Sequence, residues 1–128
     1  MNKIVKQFQI ELKKFRDSAR NILNKETQRI LRENPSIESL VLLCYTPGFN
    51  DGDPCVFSTE TFSISYEDRK QIEAGEQDIY DCSVNKEFNK LINILENSGS
   101  LEMTIGNDKK VTYRLGKEPK IENYDCGH

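Results

Sequence analysis

The chain has 128 residues, with 18 Lys+Arg against 21 Asp+Glu, a single His and a net charge of -3. That length suits one domain that buries a real core without a disulfide or metal staple. The acidic balance argues against a nucleic-acid binder held by bulk electrostatics, because counterion release needs a basic face. Mean hydropathy is -0.68, and no apolar run reaches the length of a membrane span. The N-terminus, MNKIVKQFQIELKKF, lacks the apolar core of a signal peptide. The reading is a cytoplasmic protein without a membrane or nucleic-acid partner.

Residues 3–33 predict one long amphipathic helix, and the segment 1–34 is assigned to it. Ile4, Phe8, Leu12, Phe15, Ala19, Ile22 and Ile30 recur at steps of three, four or eight, the period of a helix with one apolar stripe. Lys3, Lys6, Lys13, Lys14, Arg16 and Arg20 interleave with Glu11 and Asp17, as on a solvated helix face. Asn34-Pro35 stops the run, because the residue before proline is pushed out of the helical region. A helix of this length would be roughly 45 Å long, longer than a body whose radius of gyration is about 14 Å. It therefore bends or breaks near Asn21–Glu26, where Glu26-Thr27 weakens the stripe, or one end projects. A projecting stripe needs a partner, which points to a protein partner or a homo-oligomer through this helix.

Sheet and second helix follow over residues 36–116. Glu38–Thr46 is the first strand; its centre, LVLLCY, is apolar on both faces and so predicts a sheet covered on both sides. Cys55–Tyr66 is the second, with Phe62, Ile64 and Tyr66 on one face; the opposite parity of Phe57 predicts a bulge near Thr59-Glu60. Glu67–Asp81 is an exposed loop with a helical turn at Asp68–Ala74. Ser83 or Asn85 caps a second helix, whose stripe is Phe88, Leu91, Ile92 and Leu95 and whose end is Gly99. LEMTI (101–105) and VTYRL (111–115) alternate strictly and predict a hairpin, with Gly106 opposite Lys110 and a loop at Asn107-Asp108-Lys109. Residues 117–128 form a tail with a short strand at Lys120–Tyr124. The fold class is α+β: an antiparallel sheet of four to five strands, built from two hairpins and packed with a long N-terminal helix and a shorter second one.

Chemistry concentrates in YTPGFNDGDPCVF, residues 45–57. Thr46–Pro54 is long for a hairpin loop, and long loops tend to be functional or mobile. Asn50-Asp51-Gly52-Asp53 is strong turn chemistry, and a turn alone is the favoured reading. An EF-hand fails, since Val56 and Phe62 stand where its glycine and final glutamate belong. There is no P-loop. A phosphatase-type aspartate pair lacks the alternation of strands and helices it needs. A triad lacks a base, because the single histidine is the terminal His128. Zinc is the cofactor alternative to none: Cys44, Cys55, Cys82, Cys126 and His128 are suitable ligand types, though their spacings match no zinc knuckle. Asp51, Asp53 and Asp125 can project together if the tail returns to the loop, to hold a divalent ion or meet a basic partner surface.

Tyr45–Phe57 and Tyr124–Gly127 resemble a group of small uncharacterised phage and prophage proteins that carry a segment of the form Y-T-P-x-F-N-D-G-D-x-C-x-F and a tail of the form Y-D-C-G. Gly48 stands where that group often has a second aromatic. The resemblance implies a phage-like setting, in the host cytosol; the group has no established activity, so it assigns no catalytic residues. It also implies that Tyr45, Phe49, Asn50, Asp51, Asp53, Cys55, Asp125 and Cys126 form one unit, with Tyr45, Phe49, Asn50, Asp51, Asp53 and Asp125 as its binding residues. The expected function is a non-enzymatic protein-binding module, an inhibitor of a bacterial defence system or host enzyme of the anti-CRISPR kind. The alternative is a metal- or small-ligand site formed by the 45–57 loop and the tail.

Overall fold

The computed structural model describes residues 3–46 and 57–124. Helix α1 (Lys3–Glu33) is continuous, as the absence of Gly and Pro allows. It ends where the Asn34 amide side chain caps the Ile30 carbonyl at 2.8 Å. The weak turn in its stripe does not break it. Thr27 is buried but donates its hydroxyl to the Leu23 carbonyl one turn back, so no polar group is orphaned. Glu26 pairs instead with Arg29, which also reaches Glu33 and Glu87 at 2.7 Å and so links α1 to the later helix α3.

Four antiparallel strands follow in the order β2-β1-β3-β4: β1 (Ile37–Tyr45), β2 (Ser58–Ser65), β3 (Lys109–Tyr113) and β4 (Lys120–Asn123). Between β2 and β3 lie α2 (Tyr66–Glu73), a 3-10 turn (Ile79–Asp81), α3 (Lys86–Asn97) and α4 (Ser100–Thr104). The architecture is α+β with an antiparallel sheet. Strand β1 is central and covered on both faces, as its unbroken apolar run requires. Leu40, Leu42 and Cys44 join one core with Leu23, Ile30 and Leu31 of α1, with Phe88 and Ile92 of α3, and with Leu101 of α4. Val41 and Leu43 join a second, smaller core with Phe62, Ile64 and Cys82.

Three sequence expectations need correction. Residues 101–105 are not a strand: they fall on α4 and its C-terminal cap. The alternation of LEMTI is too short to exclude a helix, and Leu101, Thr104 and Ile105 also satisfy a helical face, turned onto the α1 core. Gly99, at φ 78, ends α3 and redirects the chain into α4. Strand β3 therefore pairs with β1 and with β4, not with 101–105, and Leu115 lies beyond it, exposed. The bulge near Thr59-Glu60 is absent. β1 and β2 pair in unbroken register from Ser39↔Ile64 to Tyr45↔Ser58, and the irregularity sits between Ile37 and Ser39. Phe57 needs no bulge, because its opposite parity takes it to the α1 core while Phe62 and Ile64 enter the other. Tyr66 does not share their face. Ser65 and Asp68 form a reciprocal capping box that starts α2 there, leaving Tyr66 exposed.

The bulged start of β1 carries an ion cluster. Glu38 accepts from Arg69 of α2 at 2.9 Å and from Arg114, just past β3, at 2.6 Å, with Ser39 donating at 2.8 Å. Burial pushes the Glu38 carboxyl up, but the bonds from Arg114, Ser39 and Arg69 outweigh it and hold it below its ordinary value. A carboxylate held low in the folded state stabilises above the ordinary glutamate pKa, and that contribution is lost as pH falls through the folded value. Glu38→Gln is expected to lower stability by about 1–3 kcal/mol at neutral pH. The wild-type and variant melting curves should converge below about pH 4.

Burial along α1 is confined to its C-terminal part among the described side chains. From residue 3 to 18 no described side chain is buried; burial begins at Ala19. Ile4 is 79% exposed and Phe8 64%. No described helix is long and apolar enough to cross a membrane.

Candidate functional site at the tyrosine rim

The chain leaves β1 into residues 47–56 through Tyr45 and Thr46, and it leaves β4 into residues 125–128 through Tyr124. Register places both exits at one end of the sheet, because β3 is antiparallel to β1 and β4 antiparallel to β3. The Tyr45 and Tyr124 rings meet edge to face with centroids 6.0 Å apart. The Tyr124 hydroxyl lies 2.7 Å from the Tyr80 hydroxyl, and Tyr80 stands edge-on to Phe62 at 5.6 Å. The row Phe62–Tyr80–Tyr124–Tyr45 thus runs from the second core to the rim from which loop and tail depart. Such edge-to-face pairs add about 0.5–1.5 kcal/mol each beyond area burial.

Polar contacts fix the same end. Thr46 donates to the Asn107 side-chain oxygen. The Tyr124 amide donates to the Asp108 carbonyl at 2.8 Å, and Lys109 Nζ to Asn123 Oδ1 at 2.8 Å. Asp108 has a φ of 56°, a conformation that Asp tolerates better than most residues. From the other side α1 clamps the β3–β4 turn. The Gln28 amide donates to the Arg114 carbonyl at 3.0 Å and accepts from the Gly116 amide at 2.9 Å, which holds β4 and hence Tyr124 in place.

The electrostatics of this rim favour the neutral form of Tyr124. Burial, then the bond from Tyr80, pushes the Tyr124 hydroxyl well above its ordinary value. The rim residues Tyr45, Tyr80 and Tyr124 offer aromatic edges and hydroxyls, a surface suited to contacting another molecule.

Of the sequence-derived site residues, Tyr45 lies on this rim. Phe49, Asn50, Asp51, Asp53, Cys55, Asp125, Cys126 and His128 lie outside the described residues. Cys44 and Cys82 are buried in different cores on opposite faces of the sheet, so one zinc ion cannot take both. Burial, reinforced by Glu96, pushes the Cys44 thiol up to about 12. Burial, then the Asp68 charge, raises the Cys82 thiol as well. Both are buried core thiols whose environment favours the neutral form. Among the described residues no group of three or more His, Cys, Asp or Glu converges as a metal site. Tyr80 was not anticipated. It falls in a polar stretch without periodicity, and no signal in the sequence ties it to Tyr124.

Comparison of the chain with protein-family models, curated proteins and solved structures finds no match.

Proposed function

We propose that the protein is a non-enzymatic protein-binding module that grips its partner with the projecting N-terminal half of α1. One observation carries this reading: Ile4 and Phe8, 79% and 64% exposed, sit one turn apart on a helix in which, among the described side chains, burial begins at Ala19. Exposed large apolar residues scattered singly need no explanation, but a stripe that continues a buried one is an interaction surface. Amphipathic helices laid in a groove use anchors at this spacing.

Charge selects the partner. Residues 3–20 carry six cations against two carboxylates, in a chain of net charge -3. A second α1 would meet this segment with like charge, so self-pairing is disfavoured. The complementary partner is a protein with an apolar groove rimmed by carboxylates. The phage setting and the inhibitory role against a host enzyme or defence system rest on the motif resemblance at Tyr45–Phe57 and Tyr124–Gly127. The tyrosine rim supports the narrower idea that these two segments act together, since their flanking residues are in contact.

A photo-crosslinking residue in place of Phe8 tests the reading. One discrete adduct to an acidic protein is expected in the host cell, weakened by raised salt during capture. Adducts only to a second copy of this chain, or none, would overturn it.

A further inference from the structure

Apart from the rim and the arm, a cleft of about 400 Å³ opens between α1, the α4–β3 connection and the β3–β4 hairpin. This lies within the size range of small-molecule sites. Its wall is apolar where Leu23, Val111 and Ile121 line it, and Arg20, Tyr113 and Glu118 supply the polar groups. Three of its lining groups bear on what it could hold. Arg20 is held by donating to the Thr104 carbonyl at 3.1 Å, yet it forms no ion pair among the described residues. Glu118 lines the same cleft and is likewise unpaired there, so opposite charges share one cavity without neutralising each other. Tyr113 lines the cleft; its hydroxyl makes no hydrogen bond among the described residues and is not sealed from solvent, so it is free to donate to an occupant. Its ring packs edge-on to Phe88 at 6.0 Å, which fixes where the hydroxyl stands.

We propose that this cleft binds a small zwitterion with an apolar body, of the class of a branched or aromatic amino acid or a dipeptide of these. The carboxylate sits against Arg20 and the Tyr113 hydroxyl, the ammonium faces Glu118, and the apolar body lies on Leu23, Val111 and Ile121. A plain anion satisfies Arg20 but is repelled by Glu118, and a plain cation meets the reverse, so the pair of charges selects a ligand bearing both. Burial and the neighbouring Cys44 sulfur push the Tyr113 phenol up, while Arg20 pulls it back. The phenol is therefore a neutral donor, as a carboxylate requires.

The test is a titration of the whole protein with leucine, phenylalanine and leucyl-phenylalanine at millimolar concentration, read by methyl NMR. Shifts confined to Leu23, Val111 and Ile121 are expected, with the methyl esters and N-acetyl derivatives at least tenfold weaker. Tyr113→Phe keeps the ring packing and should weaken binding about fivefold at an unchanged or higher melting temperature. Arg20→Gln keeps a donor for the Thr104 carbonyl and should weaken it tenfold or more. No methyl shifts with any of the three probes, blocked derivatives that bind as well as the free zwitterions, or undiminished binding in both folded variants would each overturn the assignment.

Discussion

The Ile4→Ser/Phe8→Ser double variant is expected to melt within about a degree of the wild type and to lose roughly 100-fold in affinity for its protein partner. The two halves of that expectation come from different parts of the same helix. Both side chains are mostly in solvent, so removing them takes nothing from the cores that begin at Ala19. Ser, Ile and Phe have similar helix propensities, and α1 itself should persist. In the complex the same side chains would be buried, and each is worth about 1.5–3 kcal/mol on full burial. Even partial burial of both gives about 3 kcal/mol, or roughly two decades in affinity. Thermal melts and a direct binding titration separate the outcomes. A drop of several degrees would mean that the arm packs back on the body, and an unchanged affinity would place the contact surface elsewhere. Reversing charge in the arm, for instance Lys6→Glu, should act more on association rate and salt dependence than on the dissociation rate.

What could be read from the sequence divides by length scale. Long periodic segments were legible. The stripe of α1, the Asn85-capped helix with Phe88, Ile92 and Leu95 buried, and the two-faced strand at Leu40–Cys44 each repeat a signal over several turns or pleats. Residues 101–105 were not, because five residues fit a period of 2 and a period of 3.6 equally well, and the glycine at φ 78 that decides between them reads as a simple helix stop. The irregularity at Glu38 was invisible too. It coincides with Arg69 and Arg114, far away in the chain, meeting one carboxylate. The rim follows the same rule. Tyr45 and Tyr124 could be grouped because they flank two motif segments, whereas Tyr80 and the cleft residues Arg20, Tyr113 and Glu118 come together only through tertiary packing. Sheet order is the root of both misses: β3 sits beside β1 rather than beside the segment that precedes it, and that choice brings Tyr124 to Tyr45 and Glu118 to the cleft beside α1.

Strand β1 is where that choice is energetically decided, and the two faces of the strand should not be equivalent. Leu42 pairs with Thr61 on one side and with Val111 on the other, has no exposed surface, and packs in the core formed under α1, α3 and α4. Leu43, its neighbour, is equally buried but faces the second core, whose cover is thin: α2 has no buried residue, and Ile72 and Ile79 are only partly enclosed. Truncating a buried leucine costs the lost transfer energy plus a term for the cavity that remains, and the second term shrinks where neighbours can collapse into the gap. The three helices over Leu42 are held by Gln28, by the Arg29 cluster and by each other, so that cavity should stay open. The α2 layer can settle onto Leu43's vacated volume. Leu42→Ala is therefore expected to cost about 4–5 kcal/mol and Leu43→Ala about 2–3 kcal/mol, measured as the shift in urea midpoint at constant slope. Equal costs, or the reverse order, would show that the α1 layer is no more rigid than the α2 layer. A projecting arm anchored in a yielding layer could not transmit grip to the body, and the binding role assigned to α1 would lose its mechanical basis.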